Sequence, residues 1–144
     1  FLKSIGAAEV LPREAVLTDR RMDSASFGGA VDSVGGAMLA SMLAQTAPYG
    51  NVASCGLVSG IELPTTVMPF IIRGVSLLGI ASAGTERDIR LKVWELLAHH
   101  WDTDSLNTLK VREIGIEGLP EQFDDMLAGR SFGRTVVKIN VNAC

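Results

Sequence analysis

The stretch Ala30-Val31-Asp32-Ser33-Val34-Gly35-Gly36 decides how this chain is read. Ala30–Ser33 has the makings of a buried strand, and it runs into the glycine pair Gly35-Gly36. The next segment changes period. Over Ala37–Thr46, the residues Leu39, Met42, Leu43 and Thr46 share one helical face, and Pro48 and Gly50 lie beyond its stop. The alternation then repeats. Asn51–Cys55 is a small-residue strand closed by Gly56, Thr65–Ile72 is a short helix or turn between Pro64 and Arg73-Gly74, and Val75–Ile80 is a third apolar strand. Strands that alternate with helices imply crossover connections, a parallel sheet and an α/β fold.

Working outward, residues 1–8 read as the end of a helix stopped at Gly6. Glu9–Leu11 reads as a short strand closed by Pro12, and residues 13–28 as a polar, irregular stretch with a short helix. On the other side, Glu86–Trp101 is the clearest helix. Thr85 and Asp88 form a capping-box-like pair, and Ile89, Val93, Leu96, Leu97 and Trp101 form an apolar stripe. A strand near Val111–Ile116, a helix near Pro120–Leu127 and a strand over Arg134–Val141 follow. The pattern predicts two parts, residues 1–102 and 103–144.

The length of 144 residues suits one domain, and 47% of the residues are hydrophobic, enough for a packed core. Thirteen basic and 16 acidic residues give a net charge of −3, with no basic run longer than Arg20-Arg21. A nucleic-acid partner is not expected. No apolar stretch is long enough to span a bilayer, so no membrane association is expected. Cys55 and Cys144 share no disulfide or metal-ligand pattern, and the cytoplasm is the expected compartment. No metal site is expected. The start at Phe1 fits a piece of a longer protein.

Several runs, in order, resemble one family: Phe1-Leu2-Lys3-Ser4-Ile5-Gly6-Ala7, Val10-Leu11-Pro12-Arg13, Ala30 to Gly35, Cys55-Gly56-Leu57, Leu63-Pro64-Thr65-Thr66-Val67-Met68-Pro69-Phe70-Ile71-Ile72-Arg73, Leu78-Gly79-Ile80 and Gly133 to Lys138. The chain resembles the C-terminal portion of the zinc-free medium-chain dehydrogenase/reductases, in the quinone oxidoreductase branch that includes acrylyl-CoA reductases. The resemblance implies a partial Rossmann-type parallel sheet, strands 3–6 of the doubly wound fold, followed by a β-α-β piece of the catalytic domain. It implies NADPH as cofactor and reduction of a quinone or an α,β-unsaturated carbonyl such as an enoyl thioester. No G-x-G-x-x-G turn for the pyrophosphate occurs in the sequence, so little or no turnover is expected from this chain alone. A non-catalytic α/β module that associates with itself is the alternative.

The resemblance also assigns four cofactor contacts. Arg13 would sit near the 2′-phosphate of NADPH, a group that a guanidinium suits. Leu57, Ile71 and Ser82 would line the nicotinamide side, although the family's Asp before that serine is Ala81 here. Read from the residues alone, Arg13 is a solvated loop arginine, while Leu57 and Ile71 read equally as core residues and Ser82 as a loop cap. No catalytic side chain is assigned, because hydride transfer draws its chemistry from the cofactor. Asp32 reads as an anchor for its turn, and Cys55 as a small buried thiol. His99 and His100 suit the negative end of their helix. Trp94 and Trp101 suit packing in a core or an interface.

With residues 9–11 as strand 3 and residues 30–34 as strand 4, the intervening strands 1 and 2 lie outside the chain. An apolar strand edge left bare recruits another chain. A homodimer through strand edges is therefore expected, including the edge of Val75–Ile80.

Overall fold

A computed structural model describes residues 1–100 and 111–139. The chain divides into two compact units, one of residues 9–90 and one of residues 1–8 with 91–144.

The first unit is built on a three-stranded parallel sheet of β1 (Ala30–Asp32), β2 (Asn51–Ser54) and β3 (Ser76–Gly79), side by side in chain order. Between β1 and β2 runs α1 (Gly36–Gln45), and between β2 and β3 runs α2 (Met68–Arg73). Leu39 and Leu43 of α1 pack on Val52 and Val75, with Ala30, Leu63, Phe70 and Leu77 around them. Alternate strand residues therefore serve one face of the sheet as core. The other face is different. Val31, Ala53 and Leu78 are in register across the three strands, yet Val31 is 76% and Leu78 47% exposed. Parallel sheets normally bury both faces, and here one apolar row stands uncovered.

The C-terminal end of α1 is satisfied from outside the helix, as orphan carbonyls require. The Asp23 amide donates to Ala44 O at 2.9 Å, and the Ser26 and Phe27 amides donate to Gln45 O. Arg73 adds donors to Ala44 O and Thr46 O, both at 3.0 Å, and to Asp23 O. The buried Ser41 hydroxyl accepts from the Thr18 amide at 3.0 Å, and Gln45 Nε2 donates to Val16 O at 2.6 Å. These bonds fix the irregular segment before β1 against the helix.

The second unit holds most of α3 (Arg87–His99), whose first turn belongs to the first unit, then β4 (Val111–Gly115), α4 (Leu119–Leu127) and β5 (Arg134–Lys138). β4 and β5 pair with each other in parallel, joined through α4, and Lys138 Nζ meets Glu113 Oε2 at 2.8 Å. The Phe1 and Phe132 rings lie 5.4 Å apart.

Four expectations need correction. Glu9–Leu11 forms no strand. A strand needs a ladder partner for its backbone groups, and no described strand runs beside it. The stripe Ile89, Val93, Leu96 and Leu97 is not a buried face, since α3 has no buried residue and Trp94 is 62% exposed. Trp101 lies outside the described residues. The Thr85 hydroxyl donates back to Ala81 O at 2.9 Å, an alternative to the capping box. The last strand ends at Lys138, and residues 140–144, including Cys144, lie outside the described residues.

Candidate functional site

Open α/β sheets bind ligands beyond the carboxyl ends of their strands. In this chain those ends are knitted together. The β1 strand ends at Asp32, which is 1% exposed. Its carboxyl group accepts the Val34 amide at 3.1 Å and the Gly35 amide at 3.2 and 3.0 Å, and the Ser54 hydroxyl donates to it at 3.4 Å. Asp32 thus holds the turn into α1 and ties it to β2, as the sequence suggests. The backbone continues the pairing past the strands. Cys55 N donates to Asp32 O at 2.8 Å, Ser59 N to Val34 O at 2.8 Å and Ile80 N to Ser54 O at 2.9 Å.

Two glycines make this possible. A Cβ on Gly56 would stand 2.3 Å from Ser33 O, so its bare α-carbon admits the neighbouring strand end. Gly35 has φ of 73° and bridges Gly60, whose carbonyl a Cβ would meet at 2.7 Å.

These turns enclose a hollow of about 230 Å³. Its walls are apolar, from Leu39, Leu57, Ile61 and Leu63, with Ser54 and Glu62 as the polar members. A few polar groups within apolar walls suit a flat, amphipathic ring. The sequence holds no glycine-rich turn for the pyrophosphate end of a dinucleotide.

The four expected contacts fall in different places. Leu57 lines the hollow. Ile71 lies on α2 and is 75% exposed, outside that lining. Ser82 is an exposed turn residue whose carbonyl accepts from Arg90 Nη2 at 2.7 Å. Arg13 opens a short 3-10 turn, Arg13–Ala15, and is exposed. Cys55 is an exposed free thiol, contrary to the buried reading, because its strand end projects past the core. Sequence reasoning missed Ile61, Leu63 and Gly60 as wall residues. The one signal was Gly60, which takes a φ of 144°.

Among the described residues, no three His, Cys, Asp or Glu side chains are grouped as metal ligands. No described helix is long and apolar enough to cross a membrane. At Asp23, the Ser24 amide, the Thr18 hydroxyl and Arg20 together hold the carboxyl below the usual carboxylate range.

No protein-family model matches the chain. Individual proteins do. A Bacillus subtilis protein named as a quinone oxidoreductase, YhfP, is 44% identical over 141 residues. The Ruegeria pomeroyi acrylyl-CoA reductase AcuI is 39% identical over 142 residues. The chain is a homologue of proteins named as a quinone oxidoreductase and as an acrylyl-CoA reductase. The match takes in 96% and 97% of this chain, respectively, but the chain spans only 43% of the length of either relative. The solved structures agree on the Rossmann-type fold. B. subtilis YhfP with NAD bound superposes with a TM-score of 0.85 at 44% identity, and E. coli YhdH with bound NADPH with 0.82 at 39%. Each covers 96% of this chain and 43% of its own.

Proposed function

We propose that this chain is a segment of an NADPH-dependent, zinc-free reductase of quinones or α,β-unsaturated carbonyls of the enoyl thioester type. Its part is the nicotinamide side of the cofactor cleft, with Leu57 at the hollow and Ile71 and Ser82 as further contacts, and with Arg13 as the contact to the 2′-phosphate. The observation that carries this reading is the apolar hollow at the carboxyl ends of β1 and β2, in a chain whose homologues hold NADPH or NAD in the same fold. When bound, the cofactor supplies the hydride. The chain's own residues position the ring and exclude water around it. Turnover requires the pyrophosphate turn that the sequence lacks, so the chain alone is inactive. Unpaired Cys55 supports a reducing, cytoplasmic setting.

A chimera tests this reading. This chain replaces the matching segment of B. subtilis YhfP, and NADPH oxidation is followed with a quinone and with an enoyl thioester. Activity in the chimera, and none in the chain alone, is the expected result. A folded chimera that binds NADPH but reduces neither substrate class overturns the reading.

A second reading, a non-catalytic module that self-associates, draws on the uncovered row of Val31, Ala53 and Leu78 and on the free edges of β1 and β3. It predicts a homodimer paired through strand edges. Sedimentation that finds a stable monomer at micromolar concentration removes it.

A further inference from the structure

We propose that two copies of this chain associate through their helices, with α3 of each lying along α4 of the other. The starting observation is that α4 sits inside out. It turns polar side chains toward β4 and the loop before β5. Gln122 is buried, its amide donating to the Ser131 hydroxyl at 2.9 Å and its carbonyl accepting from Arg112 Nη1 at 3.5 Å. Asp125 meets Arg130 at 2.9 Å and Arg112 at 3.6 Å. Phe123, Met126 and Leu127 follow the three- and four-residue spacing of one helical face. All three are exposed, Leu127 at 89%. A surface helix ordinarily turns such a stripe inward.

α3 is the other uncovered helix. It has no buried residue, and Ile89, Val93 and Leu96 form a stripe at positions i, i+4 and i+7. Both stripes stand open within one chain. Their occupant therefore comes from outside it.

Charge selects that occupant. α4 carries Glu121, Asp124 and Asp125 and no basic residue. Asp124 borders its apolar stripe, and Glu121 lies one turn before Asp124. Two α4 helices face to face would set these carboxylates against each other, at a cost in affinity. The α3 stripe has the opposite border, Lys92 with His99 two turns further on. The side chains of Lys92 and Asp124 make no hydrogen bond or ion pair among the described residues. Laid together, α3 and α4 join apolar stripe to apolar stripe and set Lys92 beside Asp124. A two-fold axis makes the same contact twice. The stripes supply the affinity, and the exposed ion pair mainly fixes the pairing. This contact does not use the edges of β1 and β3, and it does not rest on the reductase reading.

Sedimentation of the whole chain over a range of micromolar concentrations tests the proposal. A concentration-dependent dimer is expected. L127S weakens it about tenfold, the loss typical of one well-packed apolar anchor. K92E and D124K each weaken it severalfold, and K92E/D124K together restore it to near the parent value. All three side chains are exposed, so a far-UV spectrum like the parent's verifies that each variant is folded. A stable monomer overturns both this contact and pairing through strand edges. A dimer that L127S leaves unchanged overturns the helix contact alone and points to the strand edges. A dimer that L127S loosens but that the double charge reversal does not restore also overturns the pairing of α3 with α4.

Discussion

Arg73 donates to the Thr46 carbonyl at 3.0 Å, across 27 positions of sequence, and so joins the last turn of α2 to the end of α1. The same side chain reaches Ala44 O and Asp23 O. One guanidinium thus serves two carbonyls at the end of α1, which the helix cannot satisfy itself, and a third, Asp23 O, in the segment before β1. Truncation leaves them without this donor. R73A is expected to lower stability by about 1.5–3 kcal/mol, the usual range for a hydrogen bond to a charged group, read as a drop in the urea midpoint. R73K, with a point charge in place of a fork, recovers only part of the loss. A midpoint unchanged in R73A would show that water replaces the donor without cost.

Gly56 admits Ser33 where no side chain fits. G56A places its Cβ against Ser33 O, which must move. A cost of about 1–3 kcal/mol is expected, as for overpacking elsewhere. The displacement also separates the two turns that wall the hollow, so any NADPH affinity measured by fluorescence falls with it. A variant that loses stability but keeps cofactor affinity would detach the hollow from the cofactor.

Asp32 is an anchor and not a reacting group. D32A leaves the buried Gly35 amide without an acceptor, for an expected loss of about 1–3 kcal/mol. D32N keeps one oxygen and costs less. In the YhfP chimera, the D32N protein that remains folded should retain kcat. A large fall in kcat at unchanged stability would make Asp32 part of the chemistry.

Asp23 gives the acid response a direction. Its carboxyl group sits below the usual carboxylate range through the Ser24 amide, the Thr18 hydroxyl and Arg20. A group whose folded pKa is depressed contributes stability that is present above its unfolded pKa and is lost as pH falls through the folded one. Stability should therefore decline on acidification below the ordinary Asp range, and the decline should shrink in D23N. The charge component of that difference fades in high salt.

Most of the first unit was legible before any coordinates. The βα alternation through Ala30–Ile80 follows from apolar runs ended by Gly35-Gly36, Gly56 and Gly74, and these glycines are where the backbone turns or crowds. The anchoring role of Asp32 was legible as well, since its amide partners lie two and three residues away. What failed was whatever depends on a neighbour distant in sequence. Glu9–Leu11 has a strand's composition but no ladder partner. Val31 and Leu78 have the composition of two-sided burial, and composition does not say whether a second layer is present. Hollow walls such as Leu63 look like any core leucine until the turn at Gly60 is placed.

The uncovered row of Val31, Ala53 and Leu78 carries one more consequence. Dyes such as ANS brighten on apolar surface, and that glow is ordinarily taken as the mark of a collapsed, loosely packed state. Here an ordered β-layer offers the same landing place. Bright dye emission alongside sharp, cooperative melting would describe this chain in its native form, and would fade once another polypeptide roofed the sheet.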